Sequence, residues 1–256
     1  MQARIVQTAK GAHWLAEGWR LFSAAPLGWM ALAFTYTVIM MVMSALPLVG
    51  AAAFLVLYPA LTVGWMAAAR AASKTSRVDV GLLFDGFRHG LRAQLILGAL
   101  YLACSIVVFA GMALADHERV LQKVLAGGAG TEVEPGDLAG PLAVMAVLYT
   151  PMLMIFWFAP PLAAWHGVGA AKSLFFSFVA CALNWRALLL YCAAILGVIA
   201  GLASVLLFVS ALASGEASKT VPSSAALFAL VLFFPTLFAS IYASYRDVFG
   251  AEPAGS

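Results

Sequence analysis

The chain carries four histidines, three cysteines and eleven carboxylates among its 256 residues, and these bound the chemistry open to it. His13, His89, His117 and His166 lie far apart, and none stands in the H-x-x-x-H or H-E-x-x-H spacing that puts two imidazoles on one helix face for zinc. Asp116-His117-Glu118 is the one compact run of ligand types. Consecutive helical side chains diverge by about 100°, so the three do not converge on one ion, and the run reads as a solvated helix end. Gly127-Gly128-Ala129-Gly130 lacks the flanking strand and helix of a phosphate-cradling loop, and no G-x-S-x-G, S-x-x-K or C-x-x-C occurs. An enzyme acting on lipids would have to draw on His166, Lys172 and Ser173. We therefore expect no enzyme and no bound metal or cofactor.

Two other sets of polar side chains remain. Thr35, Thr37, Ser44, Thr62, Ser105, Thr150 and Ser240 sit in apolar stretches, where a hydroxyl is expected to return its proton to a backbone carbonyl one turn back or to join neighbouring helices. Arg20, Arg88, Arg92, Lys172 and Arg186 are the candidate residues for binding anionic lipid headgroups, with Trp14, Trp19, Trp29 and Trp185 expected at headgroup depth. Ordinary positive-inside anchoring accounts for the same cations without a site.

The elements that position these residues follow from composition. With 64% hydrophobic and 10% charged residues and a mean hydropathy of +0.99, the chain cannot coat a water-soluble domain. A span needs about 20 apolar residues, and six stretches qualify: 27–49, 51–69, 93–114, 142–165, 187–213 and 224–245. None contains a charged residue, which argues against proton-coupled transport, voltage sensing and charged-ring channels. If the N-terminus is cytoplasmic, that side holds eleven Lys and Arg and the other side three, so both termini are expected inside a bacterial inner membrane. Residues 1–23 have no continuous apolar core, which makes the first span an uncleaved anchor, and no lipidation signal is present. Cys104, Cys181 and Cys192 are expected to pack rather than to pair.

The expected fold is an all-α polytopic membrane protein, a single membrane domain of three two-span hairpins, each preceded by a cytoplasmic interfacial amphipathic helix. In residues 4–22, Ile5, Ala12, Leu15, Ala16, Trp19 and Phe22 share one helical face, opposite Lys10, His13, Glu17 and Arg20. Residues 80–92 repeat this with Leu83, Phe87 and Leu91 against Asp85, Arg88, His89 and Arg92. Residues 170–185 form a more apolar third copy with Ser173, Ser177 and Asn184 as its polar stripe, too short to span and so interfacial or re-entrant. The returning spans share a proline: Tyr58-Pro59-Ala60-Leu61, Ala159-Pro160-Pro161-Leu162 and Phe234-Pro235-Thr236-Leu237. A basic residue follows each eleven or twelve positions later, at Arg70, Lys172 and Arg246. These features mark a threefold repeat over 4–70, 80–165 and 168–246, with a 115–141 extracytoplasmic loop of five acids and two bases and a 247–256 tail. Each proline removes a helical hydrogen bond, so each returning span is expected to kink. Gly197-x-x-x-Gly201 offers a close helix contact, inside the chain or with a second copy.

The run Ala159-Pro160-Pro161-Leu162, Ala171-Lys172-Ser173 and Asn184-Trp185, with His13-Trp14-x-x-x-Gly18-Trp19, resembles an uncharacterised family of six-span proteobacterial inner-membrane proteins. More distantly the chain looks like the membrane domain attached to some glycerophosphodiester phosphodiesterases, whose hydrolase domain is not among these residues. The resemblance implies a location and a fold and carries over no catalytic residue. The function expected is a non-enzymatic membrane protein acting through lipid or protein contacts, as an assembly or accessory factor. Its partners would be membrane lipids and a membrane-protein partner or a second copy, not nucleic acid. A permease or channel for a neutral or amphiphilic solute is the alternative.

Overall fold

The computed structural model describes residues 3–115, 139–212 and 217–250, with the backbone alone at 210, 212 and 217–231. Every regular element among them is helical: α1 (Lys10–Ala24), α2 (Pro26–Ser44), α3 (Val49–Thr75), a 3-10 turn (Val80–Phe84) leading into the one-turn α4 (Asp85–Arg88), and α5 (Leu91–Ala115). After these come α6 (Ala139–Phe156), α7 (Ala159–His166), α8 (Ala170–Leu183), α9 (Trp185–Leu212) and α10 (Ala217–Phe249). Asp116-His117-Glu118, Gly127-Gly128-Ala129-Gly130 and nearly all of the 115–141 loop lie outside the described residues.

Among the described residues, five helical stretches are long and apolar enough to cross a bilayer: α2, α3, α5, Ala139–His166 across α6 and α7, and Trp185–Val209 within α9. They leave Phe34, Val107, Phe109, Val147 and Val205 more than half exposed. In water that would be a large apolar patch; against acyl chains it is the ordinary outer face of a bundle. α3 is the exception, buried on all sides from Pro59 to Ala69. It is apolar all round and is the axis of the core.

The short helices each pack one face on the long ones. The turn and α4 pack on α2 and α3, α8 packs on α6 and α7, and α1 packs on α9 and α10. The turn with α4 thus covers the long pair before it and α8 the broken span before it, while α1, which has none before it, covers the last pair and closes a ring. Two glycines permit the close approach. A Cβ on Gly86 would overlap the carbonyl oxygen of Ala60, one residue after Pro59, and a Cβ on Gly18 would overlap that of Thr236, one residue after Pro235. Asn184 ties the closure down: its Oδ1 accepts from Val6 N–H at 2.8 Å and its Nδ2 donates to Arg4 O at 3.0 Å.

The three prolines behave differently from one another. α3 and α10 run through Pro59 and Pro235 as continuous helices, whereas the helix before Pro160 stops at Phe156 and restarts at Ala159. The tandem Pro160-Pro161 supplies no N–H to continue the ladder. α8 repairs the gap: the Ser177 hydroxyl accepts from Phe158 N–H at 2.9 Å and donates to Met154 O at 2.8 Å. Ser173, Ser177 and Asn184, the polar stripe of 170–185, are all buried, while Phe175 and Phe178 face outward. That helix is therefore turned inside out relative to an interfacial one, because an orphaned backbone group in hydrocarbon costs more than an exposed phenyl ring.

Candidate functional site

α1 presents three faces. Gly11, Trp14, Gly18, Leu21 and Phe22 form the buried one. Trp14 is 1% exposed, donates its Nε1–H to Asp247 Oδ2 at 3.1 Å and meets the Tyr191 ring edge-on. The polar face, with Lys10, His13, Glu17 and Arg20, meets Arg246 and Asp247 at the end of α10 around a pocket of about 450 Å³. The apolar face, with Leu15 and Trp19, meets Val198 and Leu202 of α9 and Leu232 and Phe233 of α10 around a groove of about 710 Å³. Ala16, exposed on the outer face of α1, lines both, so the polar pocket and the apolar groove border one another at a single methyl group. Both volumes fall in the range of about 300–1,000 Å³ that ligand sites occupy.

The charges in the pocket are linked. Arg20 binds Glu17 in fork fashion, Nε to Oε2 at 2.8 Å and Nη2 to Oε1 at 2.6 Å, and Arg246 Nη2 donates to the same Oε1 at 3.1 Å. The Arg20 hydrogen bonds hold the Glu17 carboxyl at a pKa of about 2; partial burial opposes the shift and Arg246 adds to it. Lys10 Nζ lies 3.6 Å from Asp247 Oδ2. Three cations therefore face two carboxylates.

Of the sequence-predicted site residues, Arg20 alone belongs to this pocket. Arg88 is exposed on α4, Lys172 on the first turn of α8, and Arg186 at the start of α9 with its guanidinium 5.3 Å from the Trp185 ring centroid. Arg92, at the start of α5, lines a separate pocket of about 560 Å³ with Gly167, Gly169 and Ala170. The five cations stand on five elements and do not gather on one site. Trp14 and Trp29 are buried in the core, at 1% and 0% exposure, whereas Trp19 and Trp185 are half exposed. His166, Lys172 and Ser173 point different ways: His166 hydrogen-bonds Tyr245 at 2.8 Å, Ser173 returns its proton to Ala170 O, and Lys172 is exposed.

Other assignments fall where the chain placed them. Thr35, Thr37, Ser44, Thr62, Ser105 and Ser240 each donate to a carbonyl three or four residues back, and Ser240 also bonds the Tyr191 hydroxyl. The three cysteines are free; Cys181 packs in the core, while Cys192 is exposed. Among the described residues, a Cβ at Gly197 or Gly201 would meet nothing within 4 Å, so that pair faces away from them. Sequence reasoning missed Lys10, Arg246 and Asp247 as members of the site, and Gln94 as a buried bridge to Pro160. The signal for the first was there in the Glu17–Arg20 spacing on α1 and the adjacent charges that end the last apolar stretch. Nothing local marks Gln94, whose partner is 66 residues away.

No family model and no solved structure matches the chain. Along its full length it is 38% identical to the probable inner membrane protein BTH_II0599 of Burkholderia thailandensis, over 97% of that relative. An end-to-end match at that identity, over a bundle of membrane-length apolar helices, means that this chain belongs to the same family of multi-pass inner membrane proteins.

Proposed function

We propose that the protein is a six-span inner membrane protein with both termini cytoplasmic, acting as an assembly or accessory factor through contacts with lipid and with partner membrane proteins, and not by catalysis. The observation that carries this is where the space lies. At the centre, where α3, α7 and α10 meet, Trp65 stacks on Phe238 at 4.9 Å and on Trp29 at 6.1 Å between ring centroids. The cavity beside them, between Pro59 and Pro160, measures about 70 Å³, room for about two waters. Three larger concavities among the described residues, of about 450, 710 and 560 Å³, lie outside this core. A pathway for a neutral or amphiphilic solute asks for the reverse arrangement.

The sixth span is α10, whose 33 residues reach about 50 Å and include the apolar stretch 224–245. The orientation rests on the eleven-to-three distribution of Lys and Arg. The threefold repeat is supported by the cyclic packing of the short elements and by the matched seats of Gly86 and Gly18 beside Ala60 and Thr236. Three hairpins, each with its own amphipathic element, make a unit that leaves α9 free to meet a protein partner along its Gly197 and Gly201 face. Purification of the tagged protein in mild detergent tests the reading. Co-purifying lipid or a stoichiometric membrane partner is expected; a bare monomer would count against it.

A further inference from the structure

We propose that the pocket and groove on α1 together bind one anionic phospholipid, with its phosphodiester held by Lys10, Arg20 and Arg246 and one acyl chain laid past Ala16 along Leu15, Trp19 and Leu202. This deepens the contact reading above and rests on it. The occupant follows from two matched features. The pocket faces carry three cations and two carboxylates, a surplus of one positive charge, which complements one phosphodiester. The apolar groove borders that pocket at the small, exposed Ala16, so a headgroup in one can send a chain across that methyl group into the other. An ion without a tail would leave the groove unfilled, and an apolar chain without a phosphate would leave the cations unmet.

The hydrogen-bond inventory leaves capacity for the headgroup. Arg20 has five N–H donors, of which Glu17 takes two, and its side chain is 68% exposed. Lys10 is 52% exposed, and its contact with Asp247 is a loose 3.6 Å. Asp247 is already the acceptor for Trp14, and Glu17 the acceptor for both guanidiniums, so the two acids orient the cations and leave their outer hydrogens turned to the lipid. α1 supplies both halves of the site, the headgroup from one face and the chain from the next. α9 and α10 then need only provide the walls.

The test is native mass spectrometry of the full chain from nanodiscs of equal phosphatidylglycerol and phosphatidylethanolamine. The wild type is expected to retain one phosphatidylglycerol. Arg20→Gln and Lys10→Gln should each lower its occupancy about fivefold, the effect of removing one basic contact. Ala16→Trp, which plugs the junction and alters no charge, should lower it as well. Arg88→Gln and Lys172→Gln, of the same charge change at other places, should leave it unchanged. A cooperative melting transition shows that each variant is folded. Equal losses from all four charge variants, indifference to Ala16→Trp, preference for phosphatidylethanolamine, or a second copy of the chain held through this groove would each overturn the assignment. Retained lipid that ignores the α1 variants sinks this site and leaves the contact reading standing. A wild type holding neither lipid nor partner sinks both.

Discussion

The Nε2 of Gln94 donates a 2.8 Å hydrogen bond to the carbonyl of Pro160, with both residues buried. α5 thereby fastens the spot where the neighbouring span is broken, as Ser177 of α8 does from the other side. In hydrocarbon the proline carbonyl has no water to fall back on. Gln94→Leu should destabilise the protein by about 1–2 kcal/mol in chemical or thermal unfolding in mild detergent. A neutral effect would mean that the break is satisfied without α5.

The glycines on the short elements separate close approach from open surface. Gly86→Val and Gly18→Val force a branched side chain into the backbones of α3 and α10, and each should cost at least about 1–3 kcal/mol or abolish folding. Gly197→Ala meets no neighbour among the described residues and removes the flexibility of a helical glycine, so it should leave the melting temperature unchanged or raise it slightly. Destabilisation by Gly197→Ala in the isolated monomer would contradict the exposed placement of that face.

Glu17 makes α1 acid-sensitive. Its folded pKa of about 2 lies below the ordinary 4.5, so the stability it contributes is fully present above about pH 4.5 and is lost as pH falls towards 2. Melting temperature followed over that interval should drop less steeply for Glu17→Gln than for the wild type. At neutral pH the variant should melt lower, because Arg20 and Arg246 lose their common acceptor. Parallel pH profiles would show that the fork is not formed.

Asn184 is the clasp of the N-terminal segment, holding Arg4 and Val6 through 3.0 and 2.8 Å hydrogen bonds. Asn184→Leu removes both and leaves the core beneath. Trypsin cleavage after Arg4 and Lys10 should speed up roughly ten- to thirtyfold, as expected for two lost hydrogen bonds in a local opening. Cleavage at the wild-type rate would place the N-terminal segment elsewhere.

Much of this was legible in the chain, for identifiable reasons. Five membrane-length helices, the hydroxyls turned back on their own carbonyls and the short apolar helix at 170–185 all follow from composition and spacing within about 20 residues. The faces of the short helices were not legible. A helical plot of 4–22 assigns Trp14 to neither side, because its burial depends on Tyr191 and Asp247, more than 170 residues away. The polar stripe Ser173–Ser177–Asn184 reads as an outer face until the break at Phe158 supplies its partner. In a membrane the outward side is the apolar one, and inward polarity marks backbone that needs repair. The site was half visible: Arg20 and Lys10 stood out on the polar face of an amphipathic helix, whereas Arg246 and Asp247 join them only through the packing of α1 on α10.

The most direct measurement is an experimental density map of the protein in a lipid bilayer disc. The account predicts a side-chain-filled centre around Trp65 and Phe238, and elongated lipid density running from Arg20 and Arg246 over Ala16 into the groove beside Leu202. A water-filled passage along Pro59, Pro160 and Pro235, with the groove on α1 closed by protein, would contradict it.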